Sequence, residues 1–353
     1  MEETTSLATT LRWRTRQAAP ELVRTLRDDW VRCLACGHAC KIPPGREGIC
    51  RVRFNEGGTL HVPSGYVAAL MCDPIEKKPF FHALPGSDAF SFGMLGCDLH
   101  CAYCQNWVTS QAVRDPDAVA STRNMTAAQI AAMADARGAR TVASTYNEPL
   151  ITAEWAVEVF RAARQRGLRT AFISNGNATP EVLDYLRPWV DLYKVDLKSF
   201  RDRNYRKLGG RVDRILDTIP QLLRLGFWLE VVTLVIPGFN DSDQELRDIA
   251  GYLAALSPDI PWHVTAFHKD YKMTDPDDTP VETLVRGCEI GREAGLRYVY
   301  AGNLPGQVGR WEHTWCPGCE RAVIERCGFR VLGNRLRAGR CSACDTPIAG
   351  VWS

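Results

Sequence analysis

From residue 89 to residue 302, short apolar runs rich in β-branched and aromatic residues alternate with stretches whose apolar positions recur at helical spacing. The runs are AFSFGML (89–95), RTVASTY (140–146), RTAFISN (169–175), DLYKVDL (191–197), WLEVVTLVIP (228–237) and WHVTAF (262–267), with LRYVYAG (296–302) as a candidate seventh. The helical stretches are TAAQIAAMADARG (126–138), ITAEWAVEVFRAARQRG (151–167), TPEVLDYLRPW (179–189), VDRILDTIPQLLRLG (212–226), SDQELRDIAGYLAAL (242–256) and PVETLVRGCEIGREAG (280–295). Gly138 and Gly167 are suited to cap two of them at C′, and others end near Gly226 and Gly295.

Strand and helix in strict alternation predict repeated βα units and a parallel sheet. The expected class is α/β, a partial (βα)6 TIM-like barrel over residues 89–302. In such a barrel the site lies on the loops that follow the strands. Those loops are GCDLHCAYC, YNEP, NGNATP, KSFRDRNY, PGFND and HKDYKMTD, all polar or ligand-rich, whereas the opposite loops are short and marked by glycine.

The flanks have a different texture. Residues 1–30 read as a lead-in with a short helix near APELVRTLRDDW (19–30), and residues 31–88 are rich in Cys, Gly, Pro and charge. Residues 1–88 are therefore expected to form an N-terminal four-cysteine module. Residues 303–353 carry two Cys-x-x-Cys pairs around a strand-and-turn pattern and are expected to form a C-terminal zinc-ribbon-like module.

Charge and hydropathy remove several partners. The 353 residues include 43 basic and 41 acidic ones, a net charge of +2, so nucleic acid and membrane surfaces are not expected. No uninterrupted apolar run approaches the roughly 20 residues that span a bilayer. The N-terminus starts with acids and has no apolar leader core, so the protein is expected to be cytoplasmic.

In a reducing compartment, 14 cysteines point to metal or cluster ligation rather than disulfides. Eleven of them fall into groups of four, three and four, leaving Cys72, Cys288 and Cys327 outside. Cys316, Cys319, Cys341 and Cys344 form two knuckles separated by 21 residues, a spacing close to a four-cysteine zinc ribbon, with iron as the other candidate. Cys327 is expected in the core, with exchange into the ligand set as the alternative. Cys33, Cys36, Cys40 and Cys50, with His38 among them, suit either zinc or an iron–sulfur cluster.

The central group, Cys97, Cys101 and Cys104, has three ligands rather than four. Catalytic metal sites keep a position open. Three thiolates on the loop after the first barrel strand can hold three irons of a [4Fe–4S] cube and leave the fourth free. Tyr103, just before the last cysteine, is placed to pack beside whatever binds there.

Cys97-x3-Cys101-x-Tyr103-Cys104 at the end of a barrel strand resembles the radical S-adenosylmethionine (SAM) superfamily. VRCLACGHACKIPPGREGICRVR, DPIEKKPFFHALPGS, GCDLHCAYCQNW, YNEP, DLYKVDLK and HVTAFHKDY make the chain similar to the AmmeMemoRadiSam-system radical SAM enzymes, relatives of pyruvate formate-lyase activating enzyme. The resemblance implies that SAM chelates the open iron and is reductively cleaved to a 5′-deoxyadenosyl radical. It implies SAM contacts from Asn147 and Glu148 (where activases carry Gly-Gly-Glu), Ser174, Asn175, Asp196 and Lys198, with the PGFND strand on the adenine side and His268 as a pocket residue. His263 is expected to be structural, and Lys77 and Lys78 have no role legible in the residues. An electron donor such as flavodoxin or ferredoxin is the implied partner. The substrate is a small molecule or a protein; the alternatives are a glycyl-radical-enzyme activating enzyme and a non-catalytic metal-binding docking module.

Overall fold

The computed structural model describes residues 11–353; the acidic start of the chain, on which the absence of a leader was partly read, lies outside the described residues. One sheet organises the chain. Its strands are β1 (Ala69–Pro74), β2 (Asp88–Gly93), β3 (Thr141–Ser144), β4 (Arg169–Ser174), β5 (Leu192–Asp196), β6 (Trp228–Val235), β7 (Trp262–Ala266) and β8 (Val299–Gly302). They lie side by side in chain order. Strands β2 to β8 are parallel, and β1 runs antiparallel along β2 from Ala69 opposite Gly93 to Pro74 opposite Asp88. All six expected strands are present, and the candidate run at 296–302 supplies a seventh parallel strand beyond the six βα units expected. Strand β1 had been grouped with the Cys-rich lead-in.

The helices are α1 (Trp107–Ser110), α2 (Ala127–Ala136), α3 (Ala153–Arg164), α4 (Pro180–Leu186), α5 (Asp202–Lys207), α6 (Val212–Arg224), α7 (Asp243–Leu256) and α8 (Val281–Glu293). Their ends follow local chemistry. Thr126 and Gln129 form a reciprocal capping box at the start of α2, and Thr179 and Ser242 cap α4 and α7. Pro220 inside α6 cannot donate to the Leu216 carbonyl four residues back. The Tyr252 hydroxyl of α7 takes that carbonyl instead, so the helix continues and is tied to its neighbour.

Alternation along the strands separates core from site. On β5, Tyr193 and Val195 face the helices within the main core, whereas Lys194 and Asp196 face a cavity. On β6 the same parity puts Val231 and Val235 in the core and Val232 and Leu234 on the cavity. Trp155 of α3 is fully buried between sheet and helices, a side chain of the kind whose burial stabilises by roughly 3 kcal/mol.

The edge strands β1 and β8 are not paired with each other. Residues 75–87 and the C-terminal module pack together beside the sheet. Leu84 N–H donates to the Val351 carbonyl at 2.8 Å and Val351 N–H to the His82 carbonyl at 2.7 Å. Arg326 stacks on Phe81, donates to its carbonyl at 2.6 Å and faces Glu76 at 3.7 Å, both charges buried. Beneath them, Glu230 accepts from the Phe81 and His82 N–H groups, Trp228 Nε1 and His263. His263, expected to be structural, is paired with Glu230 and also lines the cavity.

The short helix expected over residues 19–30 is a correction. Only Pro20–Leu22 turns, as a 3-10 segment, and Val23–Thr25 then pairs antiparallel with Val31–Cys33. Two consecutive aspartates in the left-handed region, Asp28 at φ 57° and Asp29 at φ 55°, make the hairpin turn and stop any helix. The N-terminal module has a small core of Val31, Ile42, Leu60 and Val62 around Cys33. It is fastened to α3 by a buried bidentate pair, Arg53 to Glu154, at 2.8 and 2.7 Å.

Candidate functional site

β2 ends at Gly93, and the loop that follows carries Cys97, Cys101 and Cys104. A Cβ on Gly93 would lie 2.5 Å from the Thr145 carbonyl oxygen, so only glycine lets this loop pass so close to the end of β3. The loop is held from every side. Met94 N–H donates to Asn147 Oδ1 at 3.0 Å, Arg114 to the carbonyls of Cys97 and Leu99 at 2.7 and 3.1 Å, and Lys272 N–H to the Ala102 carbonyl at 2.9 Å. Asp98, fully buried, accepts from the side-chain amides of Asn175 at 2.7 Å and Asn177 at 2.8 Å. Two sulfurs already have polar neighbours: Leu99 N–H approaches Cys97 Sγ at 3.4 Å, and Ser110 Oγ lies 3.1 Å from Cys104 Sγ.

The three cysteines line a cavity of about 1020 Å³ together with residues at the carboxyl ends of β3 to β8. Cys101 and Tyr103 sit against an apolar wall of Leu99, Leu208, Ile236 and Phe267, which keeps water from that side. Burial pushes all three thiols up: Cys101 to about 12, opposed by Lys198; Cys97 further raised by Asp98; Cys104 opposed by Ser110. Bare thiolates here are therefore costly, and a cationic metal centre offsets that cost.

A row of charges faces the cysteines. Lys194, Asp196 and Lys198 share one face of the chain, with Asp196 bonded to Lys194 and, at 3.3 Å, to Lys198. Burial alone would raise the Asp196 carboxyl, but Lys194 and Lys198 outweigh it and hold it at about 2. Burial lowers Lys194, whereas Asp196 and then Cys101 more than reverse burial at Lys198 and hold it firmly cationic. Lys194 was missed in the sequence; its place two residues before Asp196 was the available signal.

Asn147, Glu148, Ser174 and Asn175 are all buried beside the loop. Glu148 accepts from Ser174 Oγ at 2.7 Å, Asn175 N–H at 2.8 Å and Leu150 N–H at 3.1 Å. Burial, then Asp98, pushes its carboxyl up to about 8 against those donors. The folded protein thus binds this proton more tightly than the unfolded chain, whose Glu titrates near about 4.3. The contribution is complete below that value and is lost as pH rises through about 8. Thermal unfolding of the metal-free protein should therefore show stability falling across that window, by up to about 1.4 kcal/mol per pH unit. Glu148→Gln should flatten the fall; an unchanged profile would remove Glu148 as its source.

His268 is exposed at the rim, 2.9 Å from Gln105 Nε2. Tyr146, unforeseen, adopts φ 70° and lines the cavity, its hydroxyl receiving Lys78 Nζ at 3.1 Å. Lys78 also pairs with Asp73 at 2.9 Å and Lys77 with the same carboxylate at 3.1 Å. These two lysines thus tie residues 75–87 to β1 and to the cavity wall. On the far side, Cys327 to Val331 of the C-terminal hairpin complete the lining. Cys327 is exposed there, a correction to its expected core position: it ends the strand Ala322–Cys327 at the hairpin turn.

The other two groups separate. Cys316 and Cys344 sulfurs lie 3.5 Å apart, Cys319 and Cys341 3.7 Å, and all four fall within 4.8 Å of one another. That is the spacing of one tetrahedral ion. Cys33, Cys40 and Cys50 all lie near Cys36, and His38 turns instead to Asp98, its Nε2 3.1 Å from the Asp98 carbonyl.

A sequence profile of the radical SAM superfamily matches residues 93–250. The chain is 36% identical, over 92% of its length and 96% of the other's, to an uncharacterized protein of Methanocaldococcus jannaschii. It is 24% identical, over 58% of its length and 89% of the other's, to pyruvate formate-lyase 1-activating enzyme of Escherichia coli K12. Among solved structures it is similar to a radical SAM methyltransferase from Sphaerobacter thermophilus, with a TM-score of 0.48 and 16% identity over 82% of this chain and 80% of that one.

Proposed function

The chain belongs to the radical SAM superfamily, and from that premise we propose that Cys97, Cys101 and Cys104 bind three irons of a [4Fe–4S] cluster while SAM takes the fourth. The observation that carries this reading is a set of three cysteines on the loop after β2, opening with Lys194, Asp196 and Lys198 onto one cavity of about 1020 Å³. When bound, the reduced cluster supplies the electron that splits SAM into methionine and a 5′-deoxyadenosyl radical, which takes hydrogen from the substrate.

The chain's own residues bind, orient and shield. Lys198, kept cationic by Asp196, presents its charge toward a carboxylate near Cys101. An ammonium bound beside Glu148 would favour its carboxylate form and give it an acceptor role, with Asn147 next to it and Ser174 and Asn175 holding Glu148 in place. The apolar wall behind Cys101 and Tyr103 excludes water from the reactive centre. We read the sheet as a partial barrel, because residues from β3 through β8 line one cavity. Residues 76–86 and 327–331 wall its side, which favours a substrate small enough to enter from the strand ends, or a single side chain. The likeness to an activating enzyme over 89% of that protein supports the second reading, a protein partner as substrate. A low-potential one-electron donor such as flavodoxin or ferredoxin is the required reductant, and no helix among the described residues is long and apolar enough to cross a membrane.

Anaerobic reconstitution, reduction and addition of SAM should yield 5′-deoxyadenosine and methionine in equal amounts. Iron-loaded, reduced protein that leaves SAM intact would instead favour the metal-binding docking module. Zinc is our assignment for the C-terminal quartet, from its sulfur spacing. Cys341→Ser should remove about one zinc per chain and raise proteolysis within residues 322–334, because this module carries the hairpin that walls the cavity. Unchanged zinc content would contradict the assignment.

A further inference from the structure

Two residues of the cavity wall, Lys78 and Tyr146, are not accounted for by the triad or by SAM. Lys78 belongs to the segment 75–87 that packs beside the sheet, and Tyr146 follows β3. Lys78 is only 5% exposed. Its Nζ donates to Asp73 Oδ2 at 2.9 Å and to the Tyr146 hydroxyl at 3.1 Å, and lies 5.1 Å from the centre of the Tyr146 ring. An ammonium offers three donors, so one remains for a ligand in the cavity that Lys78 lines.

The charge at this corner is not balanced. The other oxygen of Asp73 accepts from Lys77 at 3.1 Å. One carboxylate shared by two ammoniums leaves a positive charge in excess. Burial pulls the Lys78 ammonium down, and Asp73 only partly opposes it. A buried charge is stable only when it is paired, and an anion in the cavity would complete the pairing. The other carboxylates of the cavity wall near this segment are already engaged. Glu76 accepts from Gly86 N–H at 2.9 Å and faces Arg326, and Glu312 accepts from the N–H groups of Gly306 and Gly328 at 2.8 and 3.2 Å. Arg330 of the C-terminal hairpin lines the cavity as well and adds a second cation.

Tyr146 is held in place for its contact with Lys78. Its backbone takes φ 70°, which a bulky side chain adopts at a cost. Thr109 Oγ1 donates to its carbonyl at 2.6 Å, and the Thr109 carbonyl accepts at 3.1 Å from the N–H of Gly96, on the loop of the triad. A Cβ on Gly93 would also lie 2.8 Å from Tyr146 Cβ. The strained turn thus ties the phenol that meets Lys78 to the loop that carries the cysteines.

We propose, on the radical SAM reading of this cavity, that Lys78, positioned by Tyr146, binds an oxyanion of the substrate, a carboxylate or a phosphate.

The test titrates inorganic phosphate and, separately, acetate into the reconstituted but unreduced protein saturated with SAM, followed by calorimetry. SAM then occupies the Lys198 side and stays intact, so a further anion reports on Lys78. At least one of the two probes should bind, and the tighter one tells phosphate from carboxylate. Lys78→Met should weaken it by about tenfold or more. Lys207→Met, which removes an exposed charge at the end of α5, should change it by less than about twofold. Asp73→Asn should tighten it, because the probe no longer competes with a resident carboxylate. A merely structural role for the Lys78–Asp73 pair would not give that opposite sign, and the sign decides the outcome should Lys78→Met fail to fold. Failure of both probes to bind, equal affinity in Lys78→Met, or unchanged or weaker binding in Asp73→Asn would overturn the proposal. Protein that binds a probe through Lys78 but does not bind SAM would instead overturn the SAM-site reading and leave the anion site standing.

Discussion

Replacing Cys101 with Ala is expected to abolish 5′-deoxyadenosine formation. Cys101 is the most deeply buried of the three loop cysteines, enclosed by Leu99, Tyr103, Leu208, Ile236 and Phe267. Its apolar wall offers no substitute ligand, and the loop that carries it is pinned by Arg114, Lys272 and Asn147, which resists a shift that would offer another. Losing a group that only supports a metal ligand typically costs 10–100-fold; losing the ligand itself should cost on the order of 1,000-fold or more. The fold should survive, because a buried Cys-to-Ala change removes one sulfur from a wall that is otherwise intact. Product formation measured against thermal unfolding separates the two effects. Activity within tenfold of wild type would mean that Cys101 is not a cluster ligand.

Glu154→Gln is expected to produce the largest loss of stability, about 3–5 kcal/mol. Glu154 and Arg53 are both fully buried and joined by two hydrogen bonds. Removing one charge leaves the other in a low-dielectric interior without its partner, and that desolvation is what makes half a buried pair so costly. This pair is also the fastening between the Cys-rich N-terminal module and α3. Denaturant unfolding should therefore show a lowered midpoint, and hydrogen exchange should speed up in residues 31–56 before it does in β2 to β8. A change below about 1 kcal/mol, the usual range for exposed pairs, would show that the pair does not fasten the module.

The parallel strands were legible because each is an apolar run of β-branched residues flanked by a helix with a distinct period, and every predicted strand and helix between 89 and 302 is found within a few residues. Strand β1 was not. Its sequence ALMCDP carries an exposed Met71 and ends in Asp and Pro, so its alternation is weak and turn signals surround it. The candidate site was legible where chemistry concentrates in spacing, as in the three cysteine groups. It was not legible where a role depends on distant packing. Lys78 and Tyr146 are 68 residues apart in sequence and meet only because residues 75–87 fold back beside the end of β3. Arg326 likewise joins Phe81 across 245 residues. The lining contributed by Cys327 to Val331 has the same origin: a hairpin readable as part of a zinc ribbon becomes a cavity wall once the module docks.

Three thiols and an open iron form the centre of this account, and spectroscopy of that iron tests it most directly. The reduced protein should give an electron paramagnetic resonance signal that the combined Cys97→Ala, Cys101→Ala and Cys104→Ala variant lacks. Adding SAM labelled with nitrogen-15 at its amino group should shift that signal and introduce a hyperfine coupling from the label, as expected for chelation at the iron that no cysteine holds. A signal indifferent to SAM, with no coupling, would contradict the assignment of Cys97, Cys101 and Cys104 as a site left open for it.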